Sequence, residues 1–217
     1  MNLDFLDAGQ HFDPTRFGLE IVYSVIIISL FYFIYTKISK LNQLTNYEGI
    51  KYFKLAFLFF TLAYISRLIH HLIRLISLYF EINIHGSTLA MSSLIVITYF
   101  SSLAIGYLIY SNTWKKISHR KFLKISHLFI LVTITTFMIN YSIWFLILVQ
   151  VLLMTLLLIS SKKRIRYWYA LISLFWILNL IIVYSRRFII FEVKILLQLI
   201  SLALLIYFIY KILRWIK

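Results

Sequence analysis

Apolar residues come in long runs along this chain, broken by short polar and basic stretches, and most runs are too long for a strand. A helix needs about 20 apolar residues to cross a bilayer core. On that length the pattern predicts spans at about residues 17–36, 52–79, 89–110, 167–184 and 188–210, together with a longer apolar stretch that has to be divided. That stretch, 125–161, is 37 residues with no acidic or basic side chain apart from His127. As one helix it would put Lys124 and Lys162 on opposite sides of the membrane. Basic loops stay on the cytoplasmic side, so the stretch is expected to be a hairpin turning at Asn140-Tyr141-Ser142, with spans at about 125–139 and 143–159. Both are short, and tilt or local thinning of the bilayer is expected to accommodate them. The expected fold is all-α: a polytopic bundle of seven transmembrane helices, amino terminus outside and carboxyl terminus cytoplasmic.

Composition supports this reading. Of 217 residues, 62% are hydrophobic and 13% charged, with a single proline. This is more apolar than a soluble core requires. Residues 1–16 are expected to form a short acidic extracellular tail and 17–217 a single transmembrane domain. The tail carries Asp4, Asp7 and Asp13 where a cleavable signal would carry bases, so the first span is expected to remain in the mature protein. Without cysteine, disulfides, thiolate metal sites and cysteine catalysis are excluded.

The net charge of +15 changes meaning once it is distributed. The expected inner face holds sixteen Lys and Arg against one acid, Glu48, whereas the outer half holds six acids and six bases. Anionic lipid headgroups are the expected partner of the inner face, with a cytoplasmic or membrane effector as a further one, and no nucleic acid is called for. The expected location is the cell membrane, as a multi-pass protein. The balanced outer half has the charge pattern of a paired network or a binding pocket.

The densest polar feature lies in Tyr64–Leu78. Arg67, His70, His71 and Arg74 follow an i, i+3, i+4, i+7 spacing and form one stripe on a helix. Counted at about 1.5 Å per residue from an inner boundary near Lys54, Arg67 is the deepest of them, and Arg74 lies near the outer headgroups. Such side chains must face protein or water. Two roles fit. The arginines pair with Glu20, Glu81 or Glu192 and clamp spans one, two and seven together, or they line an outward pocket for a carboxylate or phosphate, with histidine responding to pH. On the last span Lys194, Gln198 and Ser201 share a face and make either helix contacts or a second wall of that pocket. The candidate ligand-binding residues are therefore Arg67, His70, His71, Arg74, Lys194 and Gln198, with Glu20, Glu81 and Glu192 as ion-pair partners.

Other chemistry has less footing. His70 and His71 are adjacent and point about 100° apart, so they cannot sandwich one haem; a stripe histidine with His85 is the remaining arrangement. Metal binding by His70, His71 and His85 lacks carboxylate or thiolate support. Lys194 invites comparison with the retinal lysine of rhodopsins, but it stands near the outer entrance of its span, and the third span has no carboxylate to act as counter-ion. No phosphate loop, serine nucleophile motif or HExxH motif is present, and the sequence specifies no cofactor. Hydroxyls on the third span, a Thr133, Thr136 and Asn140 stripe on the fourth and Gln150 on the fifth read as packing.

The segment GIKYFKLAFLFFTLAYISRL, residues 49–68, resembles small uncharacterised seven-helix membrane proteins of archaea. The resemblance implies a seven-helix bundle and no activity. The expected function is a receptor-like sensor or ligand-binding bundle with an outward polar pocket. The alternatives are a small-anion or proton transporter or channel, and a haem-bound or other cofactor-bound redox protein.

Overall fold

The computed structural model describes residues 14–80, 86–184 and 190–216. These form seven α-helices: α1 (Pro14–Thr45), α2 (Glu48–Tyr79), α3 (Gly86–Thr113), α4 (His119–Asn140), α5 (Ile143–Ser160), α6 (Lys163–Tyr184) and α7 (Phe191–Ile216). All seven are long and apolar enough to cross a membrane, so the chain is built as a multi-pass membrane protein. Residues 1–13 of the expected acidic tail, Glu81, His85, Arg186 and Arg187 lie outside the described residues, and residues 14–16 form the start of α1 rather than tail.

The apolar stretch at 125–161 is two helices. α4 ends at Asn140, and Tyr141 turns the chain with φ 51°, its N–H donating to Phe137 O at 2.7 Å. Asn46 makes the α1–α2 turn in the same left-handed conformation, with φ 47° and a 2.9 Å bond to Asn42 O. The first span is longer than its apolar run. α1 continues to Thr45, past the expected boundary at 36, because Lys37 and Lys40 end the hydrophobic run without breaking the helix. The left-handed turn at Asn46 ends it.

Short connections make consecutive helices antiparallel. The basic clusters at 37–54, 115–124, 162–166 and 211–214 therefore gather at one end of the bundle. The principal contacts run α1 to α2, α2 to α3, α3 to α5, α5 to α6, α6 to α7 and α7 back to α1, a closed ring of six. α4 stands outside the ring against α3 and α5, and its Ile125, Leu128, Leu131 and Ile139 are exposed, as lipid-facing side chains are.

The core is aromatic at mid-helix and towards the basic end. Phe31 stacks on Phe60 at 5.3 Å and meets Phe175 edge-on at 5.5 Å, while Phe57 stacks on Phe208 at 5.9 Å. These rings, with Ile27, Ile34, Leu157 and Leu205, are buried and fill the interior from α1, α2, α5, α6 and α7. They leave the other half of the bundle to hold the polar groups.

Candidate functional site

Three polar layers cross the bundle above the aromatic core. In the outermost, Glu20 of α1 meets cations of two other helices. Arg67 Nη2 of α2 donates to Glu20 Oε2 at 2.5 Å, Lys194 of α7 pairs with Oε1, and His71 Nε2 lies 3.8 Å from Oε2. The Glu20 and Arg67 side chains are 7% exposed and that of Lys194 is 19% exposed. His71 is also buried, edge-on to Phe17 at 5.5 Å, and His70 is buried edge-on to His71 at 5.5 Å. Arg74, one turn further out, is half-buried.

The second layer centres on Asn179 of α6. Its Oδ1 accepts from the Tyr23 hydroxyl at 2.7 Å and from the Tyr64 hydroxyl at 2.5 Å, and its Nδ2 donates to Phe175 O at 2.9 Å. Ser201 of α7 is 2.5 Å from the Tyr23 hydroxyl. The Arg67 guanidinium lies over both rings, 5.6 Å from Tyr23 and 5.9 Å from Tyr64, so charge layer and amide layer share these tyrosines.

The third layer centres on Gln150 of α5. Its Nε2 donates to the hydroxyls of Ser101 at 3.1 Å and Ser102 at 2.8 Å on α3, and its Oε1 accepts from Trp176 Nε1 of α6 at 3.2 Å. Each of the six ring helices contributes to at least one layer. The side-chain oxygens of the buried amides Asn179 and Gln150 accept from side chains of other helices, as a lipid setting requires.

A cavity of about 30 Å3 opens between α2, α3, α5 and α6, room for a few water-sized groups. Arg67, Tyr64, Asn179 and Gln150 line it with Thr98 and Ser101, and its other walls are apolar, among them Leu94, Ile97, Leu180 and Val183. Of the candidate residues read from the sequence, Arg67 alone lines this cavity. Lys194 stands on the far side of Glu20. Gln198 is buried on α7, where its backbone carbonyl accepts from Ser201 at 3.0 Å. Glu192 is exposed at the start of α7, and Glu81 lies outside the described residues.

The sequence pattern did not single out Tyr23, Tyr64 and Asn179 as a unit. Tyrosine is frequent in this chain and is usually an interfacial anchor, so nothing local marks two of sixteen as buried donors. Gln150 and Asn179, amides deep in apolar runs, were the available signal. Among the described residues no three His, Asp or Glu side chains come together as a metal site would need.

No known protein family matches this chain, and no solved structure does. The chain is similar to a protein of Archaeoglobus fulgidus (strain ATCC 49558 / DSM 4304 / JCM 9628 / NBRC 100126 / VC-16) described as uncharacterized. The two are 28% identical over 216 residues, which cover 93% of this chain and 94% of that protein. The similarity runs along nearly the whole of both chains and brings no activity with it.

Proposed function

We propose that this protein is a receptor-like, ligand-binding bundle of the cell membrane whose pocket is the cavity beside Arg67. The observation that carries this reading is a buried arginine that Glu20 holds in place and that borders open space. A clamp alone needs the ion pair and no cavity beside it. Intramembrane ionisable groups that border a cavity are associated with binding or transfer.

Positive-inside bias places the basic end in the cytoplasm, with the amino terminus and the pocket on the outer side. The basic end then lies against anionic headgroups and is the face offered to an effector. Binding is favoured over conduction by the rings of Phe31, Phe57, Phe60, Phe175 and Phe208, which occupy the interior between the pocket and the basic end. The test is thermal unfolding of the purified protein against a panel of small solutes, alongside flux into proteoliposomes. Saturable stabilisation without flux is the expected result. Flux of the stabilising solute would replace the receptor reading with a transporter, and no stabilisation by any solute would remove the pocket.

A further inference from the structure

The ligand class can be argued from what the pocket lacks. A guanidinium has five N–H donors. Arg67 uses Nη2 on Glu20, and among the described residues its remaining N–H groups make no hydrogen bond. The residue is 6% exposed and lines the cavity. The two tyrosines beside it turn ring faces towards it, and their hydroxyls are committed to Asn179.

Most neutral groups of the pocket are already engaged, the Thr98 hydroxyl and the second N–H of Asn179 Nδ2 excepted. Gln150 uses both ends of its amide, Asn179 uses both of its own, and Ser101 donates to Thr98 O at 3.2 Å. The pocket is therefore short of an acceptor and has donors to spare. A charged donor that lines a cavity is met best by an acceptor of opposite charge.

Size and walls narrow the acceptor. About 30 Å3, room for a few water-sized groups, suits a very small organic anion. Walls of Leu94, Ile97, Leu180 and Val183 offer nothing to the outer oxygens of sulfate or phosphate, whose second charge would be buried without a partner. A planar carboxylate matches the guanidinium fork, and the apolar walls suit a short hydrocarbon body.

We infer that the cavity binds a small monocarboxylate, its carboxylate on Arg67 and its alkyl body against Leu94, Leu180 and Val183. The inference rests on the ligand-binding reading above and goes beyond it in naming the chemistry. Tyr23 and Tyr64 act as positioning residues, since their rings hold the face of Arg67 while their hydroxyls are committed to Asn179.

The experiment is thermal unfolding and titration calorimetry of the full chain in detergent at fixed ionic strength, with formate, acetate, propionate, propionamide, chloride and nitrate. Carboxylates are expected to raise the midpoint saturably, with affinity growing about 3- to 4-fold per methylene from acetate to propionate. Propionamide is expected to have no effect. Ala63→Leu, which fills the cavity from α2, is expected to abolish the response, and Val183→Phe fills it from α6 if the first variant does not fold. Arg67→Lys, which keeps the charge and loses the fork, is expected to weaken propionate at least about 10-fold. Chloride or nitrate binding as tightly as propionate would overturn the carboxylate. Propionamide binding that Ala63→Leu or Val183→Phe blocks would overturn the charge requirement and leave a ligand pocket standing. If no solute binds and the filled variants match the parent, the carboxylate and the pocket reading fall together.

Discussion

Glu20 is the acid on which cations of two other helices converge, so the two sides of the cluster are not equivalent. Glu20→Gln leaves Arg67 and Lys194 without their shared carboxylate in a low-dielectric setting. Breaking a buried pair in this way costs about 3–5 kcal/mol. Lys194→Met leaves Glu20 paired with Arg67 and is expected to cost well under half as much. Equal losses in denaturant unfolding would show that Glu20 does not hold Arg67. In the next layer, Asn179→Leu takes the acceptor from two tyrosine hydroxyls at once. It is expected to cost about 1–3 kcal/mol, more than Tyr23→Phe, which removes one donor and leaves Tyr64 still bonded.

At the scale of elements, α2 enters the bundle through a close approach to the end of α3 at Gly49. A Cβ on Gly49 would stand 2.6 Å from Tyr47 Cε1, 3.1 Å from Ser111 O and 3.2 Å from Trp114 Nε1. The start of α2 is thereby fixed against the end of α3. Gly49→Ala is expected to destabilise by about 1–3 kcal/mol, since the Ser111 backbone oxygen cannot step aside without moving α3. Gly106, two turns before the end of α3, is the internal comparison. Its added Cβ meets Phe122 Cζ at 3.6 Å, an ordinary contact, so Gly106→Ala is expected to gain up to about 1 kcal/mol from helix propensity. Parallel thermal melts of the two variants check the contrast, and a stable Gly49→Ala would mean that the α2–α3 approach is looser than described.

For the whole molecule, orientation and ring order can be checked separately. The chain has no cysteine, so each introduced cysteine reports alone. Ser118→Cys, in the exposed α3–α4 connection, is expected to react with an impermeant maleimide only after cells are opened, and Tyr141→Cys in intact cells. The reverse pattern would turn the bundle over and place the pocket on the cytoplasmic side. Ring order predicts where packing is felt. Phe31→Ala empties a site at the centre of the ring and is expected to cost about 3–5 kcal/mol. Leu131→Ala on α4 removes a lipid-facing side chain, 62% exposed, and is expected to change the melt little.

Local pattern by itself determined the number of helices. It also divided residues 125–161 at Asn140–Ser142, because span length and basic flanks are properties of neighbouring residues. It marked Arg67 and His71 as needing partners and put Glu20 and Lys194 among the candidates, since an ionised group in an apolar run cannot face lipid. Only the tertiary structure decided which partner each one took. Glu20, rather than Glu192, receives both Arg67 and Lys194, because that depends on how α1, α2 and α7 are rotated about their axes, and α1 shows little sidedness in its pattern. The ring order, with α4 outside, and the joining of Tyr23, Tyr64 and Asn179 were equally invisible. Lipid is as apolar as the core, so side chains facing outward and inward are drawn from the same residues. Hydropathy therefore says that a helix crosses the membrane and leaves open which way it faces.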